Sequence, residues 1–273
     1  MNITAIQTFL AVYRLGNLNR AADELNITQS AVTARLDALE NTLGTPLLNR
    51  SRKGATLTKA GYGFLEQADL ILRTWQSAKA RLSLPTGITQ LFSFVCEPSL
   101  WTGRGRDMLH DWRVSNRDIA FEVWNASLRE AGEWLSSGMS DAALLTAPLT
   151  GPEIAHRVID HEKIVQVSTK ARDVMTWDPH YVFVDYGHAF RTWHSETWPG
   201  DDLARMAFSD PDWALDHLLS EGGSAYLPAS VIDRLVRERR LFPVENAAHF
   251  ERQIVMNWRT ASAAQFPWFP ARA

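Results

Sequence analysis

One cysteine occurs in 273 residues, Cys96, so neither an internal disulfide nor a thiolate-rich metal site is available. Its setting, Leu91-Phe92-Ser93-Phe94-Val95-Cys96, makes it a small apolar residue on a buried strand. Nowhere is an uninterrupted apolar run long enough to span a bilayer. The chain starts without the basic stretch and short apolar core of a secretory leader, so no membrane partner and a cytoplasmic location are expected. Internal repeats and low-complexity tracts are missing too. The eight histidines are scattered, with no HExxH pair, and neither a Gly-rich phosphate loop nor a G-x-S-x-G elbow is present. Asp185 and His188 are near enough to share a proton, but such a pair at a strand end more often meets a ligand or water. No catalytic residue, metal ligand or cofactor is assigned.

What is present is unevenly distributed. The net charge of −3 conceals a basic head on an acidic body. Residues 1–86 carry ten Lys and Arg against six Asp and Glu, and residues 87–273 carry eighteen against twenty-five. Seven of the ten basic residues precede residue 60, so a polyanionic partner for the head is implied.

The first sixty residues name that partner as double-stranded DNA. Ile3, Ile6, Phe9, Leu10 and Tyr13 recur at helical spacing. Leu15-Gly16-Asn17 stops that helix and caps the next, in which Ala21, Ala22 and Leu25 permit a close crossing. Asn26 suits a tight turn, and Thr28 caps a third helix whose buried stripe is Val32, Leu36, Leu39 and Leu43. Outside that stripe stand Gln29, Ser30, Thr33 and Arg35, at the end that would enter a major groove. Gln bridges adenine, Arg bridges guanine, and Thr offers a methyl to thymine. Two short extended runs then flank a turn at Lys53-Gly54, a wing whose Arg50, Arg52 and Lys53 suit phosphate contact. The candidate DNA-binding set is Asn17, Asn19, Thr28, Gln29, Ser30, Thr33, Arg35, Arg50, Arg52 and Lys53.

A long ordered motif runs through this segment: Phe9, Ala21-Ala22, Leu25, Gln29-Ser30-Ala31-Val32-Thr33, Leu39-Glu40, Leu43-Gly44, Leu47, Arg50, Leu57-Thr58 and Ala60-Gly61. It resembles the N-terminal domain of LysR-type transcriptional regulators. Within that family, Thr28-Gln29-Ser30-Ala31-Val32, Ser99-Leu100-Trp101 and Tyr186-Gly187 are most similar to the HdfR branch, known for flagellar-operon repression. The chain departs from the family at Thr33, where Ser is usual, at Ala34, where a basic residue is common, and at Asn17-Leu18-Asn19, where Ser-Phe-Thr is common. These changes bear on which operator is read.

Phe64, Ala68, Ile71, Trp75, Ala78 and Leu82 follow at steps of four, three, four, three and four, the spacing of a coiled-coil seam. A homodimer joined along this helix would present two winged domains to two half-sites. The resemblance makes this helix the family's linker, with Leu84-Pro85-Thr86-Gly87 as hinge.

The remainder alternates strands and helices. Leu91–Cys96 is a strand, followed by a helix over 100–113, a strand at Ile119–Trp124, a helix through Leu128, Leu135 and Met139, and a strand at Ala142–Leu145. The pattern restarts at Ile164–Val167 and returns in a late strand near Ile254–Trp258. This order predicts parallel sheets covered by helices. The resemblance implies a two-lobed α/β effector domain built like a periplasmic binding protein, with a shortened final helix. The expected domains are a winged helix-turn-helix over 1–58, a linker over 59–86 and an effector domain over 87–273. Its lobes are expected near 88–160 plus 253–273, and 161–252.

Ligands of open α/β sheets bind beyond the carboxyl ends of the strands. That rule selects Ser99, Leu100, Trp101, Thr102, Asn125, Ala126, Thr146, Asp185, Tyr186, His188, Ser209 and Leu227 as the effector cleft. Ser99 is expected to cap a helix whose free N–H groups would hold a carboxylate or phosphate. Trp101 and Trp124 near the cleft mouth suit a flat or aromatic ligand. The reading is a DNA-binding regulator, a homodimer or homotetramer answering to a small-molecule effector, with RNA polymerase as partner if it activates. The alternatives are a ligand-independent repressor whose lobes serve only oligomerisation, and, more remotely, an enzyme fused to a DNA-binding head.

Overall fold

The computed structural model describes residues 2–51, 54–174, 178–199 and 204–269. It divides into two compact units, residues 1–83 and 84–273.

The first unit contains α1 (Ile3–Leu15), α2 (Leu18–Leu25), α3 (Gln29–Leu43), the strands β1 (Leu48–Ser51) and β2 (Gly54–Leu57), and α4 (Lys59–Leu82). All four helices open on a side-chain cap. Asn2, Asn17, Thr28 and Thr58 each accept from the free N–H groups of the first turn. Asn26 ends α2 in the left-handed conformation, φ 53°, one that Asn tolerates better than most residues. The core joins Ile6, Phe9 and Val12 of α1 to Ala21 and Ala22 of α2, Val32, Leu36 and Leu39 of α3, and Leu47 and Leu57 of the wing. Each large apolar side chain buried there contributes ~1.5–3 kcal/mol. Tyr13 and Leu43 are 45% and 39% exposed, contrary to their expected place on the buried stripes. Leu43 is the last residue of α3, one turn past the buried Leu39, so the helix has already run beyond the core.

The α4 seam is divided. Phe64 packs on Phe9 with ring centroids 5.6 Å apart, Ala68 is wholly buried, and Ile71 packs against the same core. These three seam positions are at least partly spent inside their own domain. Further along, Trp75 is 48% and Leu82 88% exposed, and Ala78 is exposed as well.

The second unit opens with β3 (Gln90–Cys96). Instead of one helix over 100–113, the chain makes a 3-10 turn at Pro98–Leu100, a π-helical turn at Trp101–Gly105, and only then α5 (Arg106–Ser115). Gly105 explains the irregularity. A Cβ there would lie 2.6 Å from Cys96 Sγ and 3.2 Å from the Trp101 ring, so only glycine lets the turn settle on β3. Then come β4 (Ile119–Asn125), α6 (Leu128–Ser137), β5 (Ala142–Leu145), β6 (Ile154–Ser168), β7 (Tyr181–Val184), α7 (His188–Thr197), β8 (Met206–Phe208), α8 (Pro211–Glu221), β9 (Ser224–Pro228), α9 (Ala229–Arg237), β10 (Phe242–Pro243), β11 (Phe250–Arg259) and α10 (Thr260–Gln265).

The described strands of the second unit form one nine-stranded sheet, ordered β4-β3-β5-β11-β6-β9-β7-β8, with β10 also on β6. Pairing is parallel within each end: β3 with β4 and β5, and β7 with β8 and β9. It is antiparallel at the centre, where β11 and β6 run against each other over ten residue pairs. The expected restart at Ile164 is therefore a correction. The strand begins at Ile154 and carries the chain from one lobe into the other. Each lobe has its own core, one around Phe92, Phe94, Trp112 and Phe266, the other around Val184, Leu218, Leu227 and Ile232. The short α10 is followed by Phe266 and Phe269, both buried in the first lobe's core.

Candidate nucleic-acid interface and interlobe cleft

On the first unit, the starts of α2 and α3 and the inner edge of the wing enclose a groove of about 580 Å³. Asn17, Asn19, Gln29, Thr33, Arg50 and Ser51 line it. Gln29 and Thr33 are one helical turn apart, and the Thr33 hydroxyl donates to Gln29 O at 3.2 Å, which leaves its methyl turned from the backbone. The Asn17 carbonyl is occupied in capping α2, with Asn19 N–H at 2.8 Å. Thr28 caps α3 through Ala31 N–H and shares a 2.9 Å hydrogen bond with Ser30. Gln29, Asn19 and Arg35 have no side-chain hydrogen bond or ion pair among the described residues.

Arg50 differs from the free wing cation expected of it. Its Nη1 donates to Asp37 at 2.7 Å, and its Nη2 is hydrogen-bonded to Glu40. The other Glu40 oxygen accepts from the N–H groups of Leu47, at 2.7 Å, and Leu48, at 3.0 Å. A carboxylate on the recognition helix thus holds the entry to the wing and its arginine together. Arg52 and Lys53, the wing-tip cations, lie outside the described residues.

In the second unit the cleft is organised around a residue that sequence reasoning missed, Arg252. Its Nε donates to Glu162 Oε2 at 2.8 Å, its Nη1 to Ser99 Oγ at 2.9 Å, and its Nη2 to Ser99 O at 3.1 Å. The guanidinium lies 5.0 Å from the centroid of the Tyr186 ring. Burial raises the pKa of the Tyr186 phenol, which stays protonated and donates to Tyr226 O at 3.0 Å. Ser230 donates to the other Glu162 oxygen at 3.0 Å. Glu97, also missed, accepts from Thr146 N–H at 3.0 Å, from the Thr146 hydroxyl at 2.9 Å and from Ser99 Oγ at 3.2 Å. Nothing in sequence singles out Glu162, which stands in the run Asp160-His161-Glu162-Lys163, or Arg252, which follows Glu251.

Ser99 is consequently no helix cap. Its hydroxyl sits between Arg252 and Glu97, and the turn that follows has no side-chain cap. Leu100 and Leu227 are buried in the lobe cores and Ala126 is buried as well: the turns after β3 and β4 fold Leu100 and Ala126 inward, and Leu227 belongs to the buried strand β9. Asp185 accepts from Gly187 N–H at 2.9 Å and pairs with Arg191 at 2.6 Å instead of engaging His188. His188 and Ser209 are exposed.

A cavity of about 340 Å³ opens between the lobes. Trp101, Trp124, Asn125, Asp210 and Asp212 line it, with Cys96 behind them. Of the expected effector residues, Trp101 and Asn125 reach this cavity. Thr102 borders it through its hydroxyl, which donates to Asp212. Burial, reinforced by the charge of Glu97, pushes the Cys96 pKa far up, so the thiol stays neutral and unreactive.

A capped helix pair with a wing, joined to a two-lobed α/β unit, defines a DNA-binding regulator with a sensor-like body. Residues 3–62 match the family model described as the bacterial regulatory helix-turn-helix protein, lysR family. The chain is 27% identical over 237 residues to the HTH-type transcriptional regulator HdfR of Shigella boydii, covering 84% of this chain and 83% of the relative. HdfR of Escherichia coli O17:K52:H18 matches to the same extent. Among solved structures, full-length CbnR complexed with its target DNA superposes with a TM-score of 0.75 at 20% identity, over 100% of this chain and 99% of that one. The DarR–DNA complex of Vibrio fischeri superposes at 0.56, with 20% identity over 95% and 93% of the two chains. Residues 3–62 form a lysR-family helix-turn-helix domain, and over most of its length the chain is similar to LysR-type DNA-binding transcriptional regulators.

Proposed function

We propose that α3 reads an operator in the major groove through Gln29, Thr33 and Arg35, while Asn19 and the wing follow the phosphates. The carrying observation is the shared groove. Gln29 and Thr33 line one wall of it, and Gln29, like Arg35, has no partner among the described residues. Asn17 and Thr28 support that surface as caps, and Arg50 supports it as a clamp on the wing. The exposed Trp75, Ala78 and Leu82 of α4 form the pairing surface of a homodimer, or of dimers within a tetramer, whose operator is an interrupted inverted repeat. The interlobe cavity holds a small-molecule effector that biases this assembly on DNA. RNA polymerase is the further partner at any promoter it activates, and a cytoplasmic site of action agrees with the lack of a membrane-spanning helix among the described residues.

Selection of bound fragments from genomic DNA, followed by footprinting, tests the reading. Two protected half-sites about one helical turn or a multiple apart support it, and protection without sequence preference overturns it. A second reading, ligand-independent repression, is favoured by one observation. Arg252, Glu162, Ser99, Tyr186 and Ser230 already satisfy one another across the cleft.

A further inference from the structure

The cavity between the lobes contradicts the anion expected from sequence. Its charged lining residues are Asp210 and Asp212, and neither has an ion-pair partner among the described residues. Asp210 spends one oxygen on capping α8, accepting from Asp212 N–H at 2.8 Å and Trp213 N–H at 3.4 Å. Asp212 accepts from the Thr102 hydroxyl. Both sets of donors are neutral, so neither carboxylate has a counter-ion, and the positive charge they meet is the partial one at the N-terminus of α8.

Arg252 and Arg104 are directed to other carboxylates, although Arg104 Nε has no hydrogen-bond partner among the described residues. Arg252 serves Glu162 and Ser99, and Arg104 pairs with Asp160 at 3.5 Å. The π-helical turn at Trp101–Gly105 and the end of β4 bring Trp101 and Trp124 to the same cavity, and Trp124 is 47% exposed although it ends a strand in a packed sheet. Indole faces carry negative electrostatic potential and attract cations. A carboxylate or phosphate placed here would meet two like charges with no counter-ion.

We propose that the interlobe cavity takes a compact organic cation, an amine or quaternary ammonium bearing a flat apolar group, held by Asp210 and Asp212 between Trp101 and Trp124. The inference rests on the effector-responsive reading given above and names the ligand class of that site. Asn125 supplies an amide for a polar substituent, and about 340 Å³ lies within the rough 300–1,000 Å³ range of small-molecule sites.

Calorimetric titration of the full chain with three probes of one shape tests it: phenethylamine, 2-phenylethanol and phenylacetate. The expected result is amine binding at least about tenfold tighter than either other probe. That preference should be lost in Asp210→Asn and Asp212→Asn, which keep the cap and the hydroxyl bond while removing the charge. Trp124→Ala should weaken all three probes. Phenylacetate or phenylethanol binding as tightly as the amine, or amine binding indifferent to both Asn variants, overturns the cationic class and leaves the sensor reading standing. If none of the three binds at millimolar concentration while operator binding is intact, the cationic class is overturned and the sensor reading stands.

Discussion

Arg252 of β11 and Glu162 of β6 stand directly opposite each other on neighbouring strands, and both side chains are almost wholly buried. The same guanidinium reaches Ser99, at the end of β3, and the ring of Tyr186, beyond β7. One side chain therefore gathers the strand ends of both lobes. Removing one partner leaves an uncompensated buried charge, which costs ~3–5 kcal/mol. Arg252→Ala and Glu162→Ala should each lower the unfolding free energy of the second unit by that amount, and Arg252→Met with Glu162→Leu should lower it less. Urea titrations that report equal losses for single and double variants would disprove the pairing energy.

Base readout by Gln29 and Thr33 is tested by truncating each. Gln29→Ala and Thr33→Ala should each weaken specific binding by ~1–3 kcal/mol while largely sparing random DNA. Competition assays with operator and scrambled duplexes measure both, and equal losses on the two would show that these side chains do not read sequence.

Arg35 and Arg50 should behave differently despite their equal charge. Arg35→Ala removes an unpaired side chain assigned to base readout, so specific binding should weaken by ~1–3 kcal/mol and specificity should relax. Arg50→Ala instead breaks contacts to Asp37 and Glu40. Its first effect should be a lower melting temperature for the winged domain, with the salt slope nearly unchanged. A full unit lost from the Arg50→Ala slope would return that residue to the phosphate contacts.

Much of the first unit was legible because its signals are local. Asn17 and Thr28 are cap residues immediately before helical periodicity, and each caps its helix in the structure. The alternating strands and helices of the second unit were readable in outline, but not the broken helix after β3 or the start of β6 at Ile154. The cleft was not, because Arg252 meets Ser99 across 153 positions and Glu162 across 90. No periodicity reports a contact of that kind. The seam of α4 was misjudged in its first half for a related reason: a four-three spacing describes a stripe without saying what covers it, and Phe9 covers Phe64.

Pairing through α4 is best tested beyond that covered stretch. Trp75→Glu and Leu82→Glu change side chains exposed within their own chain, so the winged domain should stay folded while dimers dissociate. Sedimentation velocity should show monomers with weakened operator binding. Ile71→Glu is the poorer probe, since Ile71 also packs on its own domain core. Intact dimers in both exposed-site variants would remove α4 from the interface.

Stability of the second unit should decline in mild acid through His194. Its ring is packed against Phe183, Phe190 and Tyr226, its Nε2 lies 2.8 Å from the Tyr181 hydroxyl, and burial lowers its pKa below the ordinary 6.5. The unfolded chain therefore binds the proton more readily. The contribution is complete above the unfolded value and is lost as pH falls from there through the folded one. Melting temperatures between pH 7.5 and 5 should drop less in His194→Gln than in the parent chain.

The wing is hydrogen-bonded to the opposite corner of its own domain. Ala55 N–H donates to Gly16 O at 2.9 Å, and Gly54 approaches so closely that a Cβ would sit 2.5 Å from that oxygen. Glu40 fastens the other end of the same hairpin to α3. The separation between the recognition helix and the wing is thus a fixed calibre, set before any duplex arrives. A duplex whose groove spacing does not fit that calibre has to deform to be bound, so flexible pyrimidine–purine steps flanking a half-site gain affinity at positions that no side chain touches.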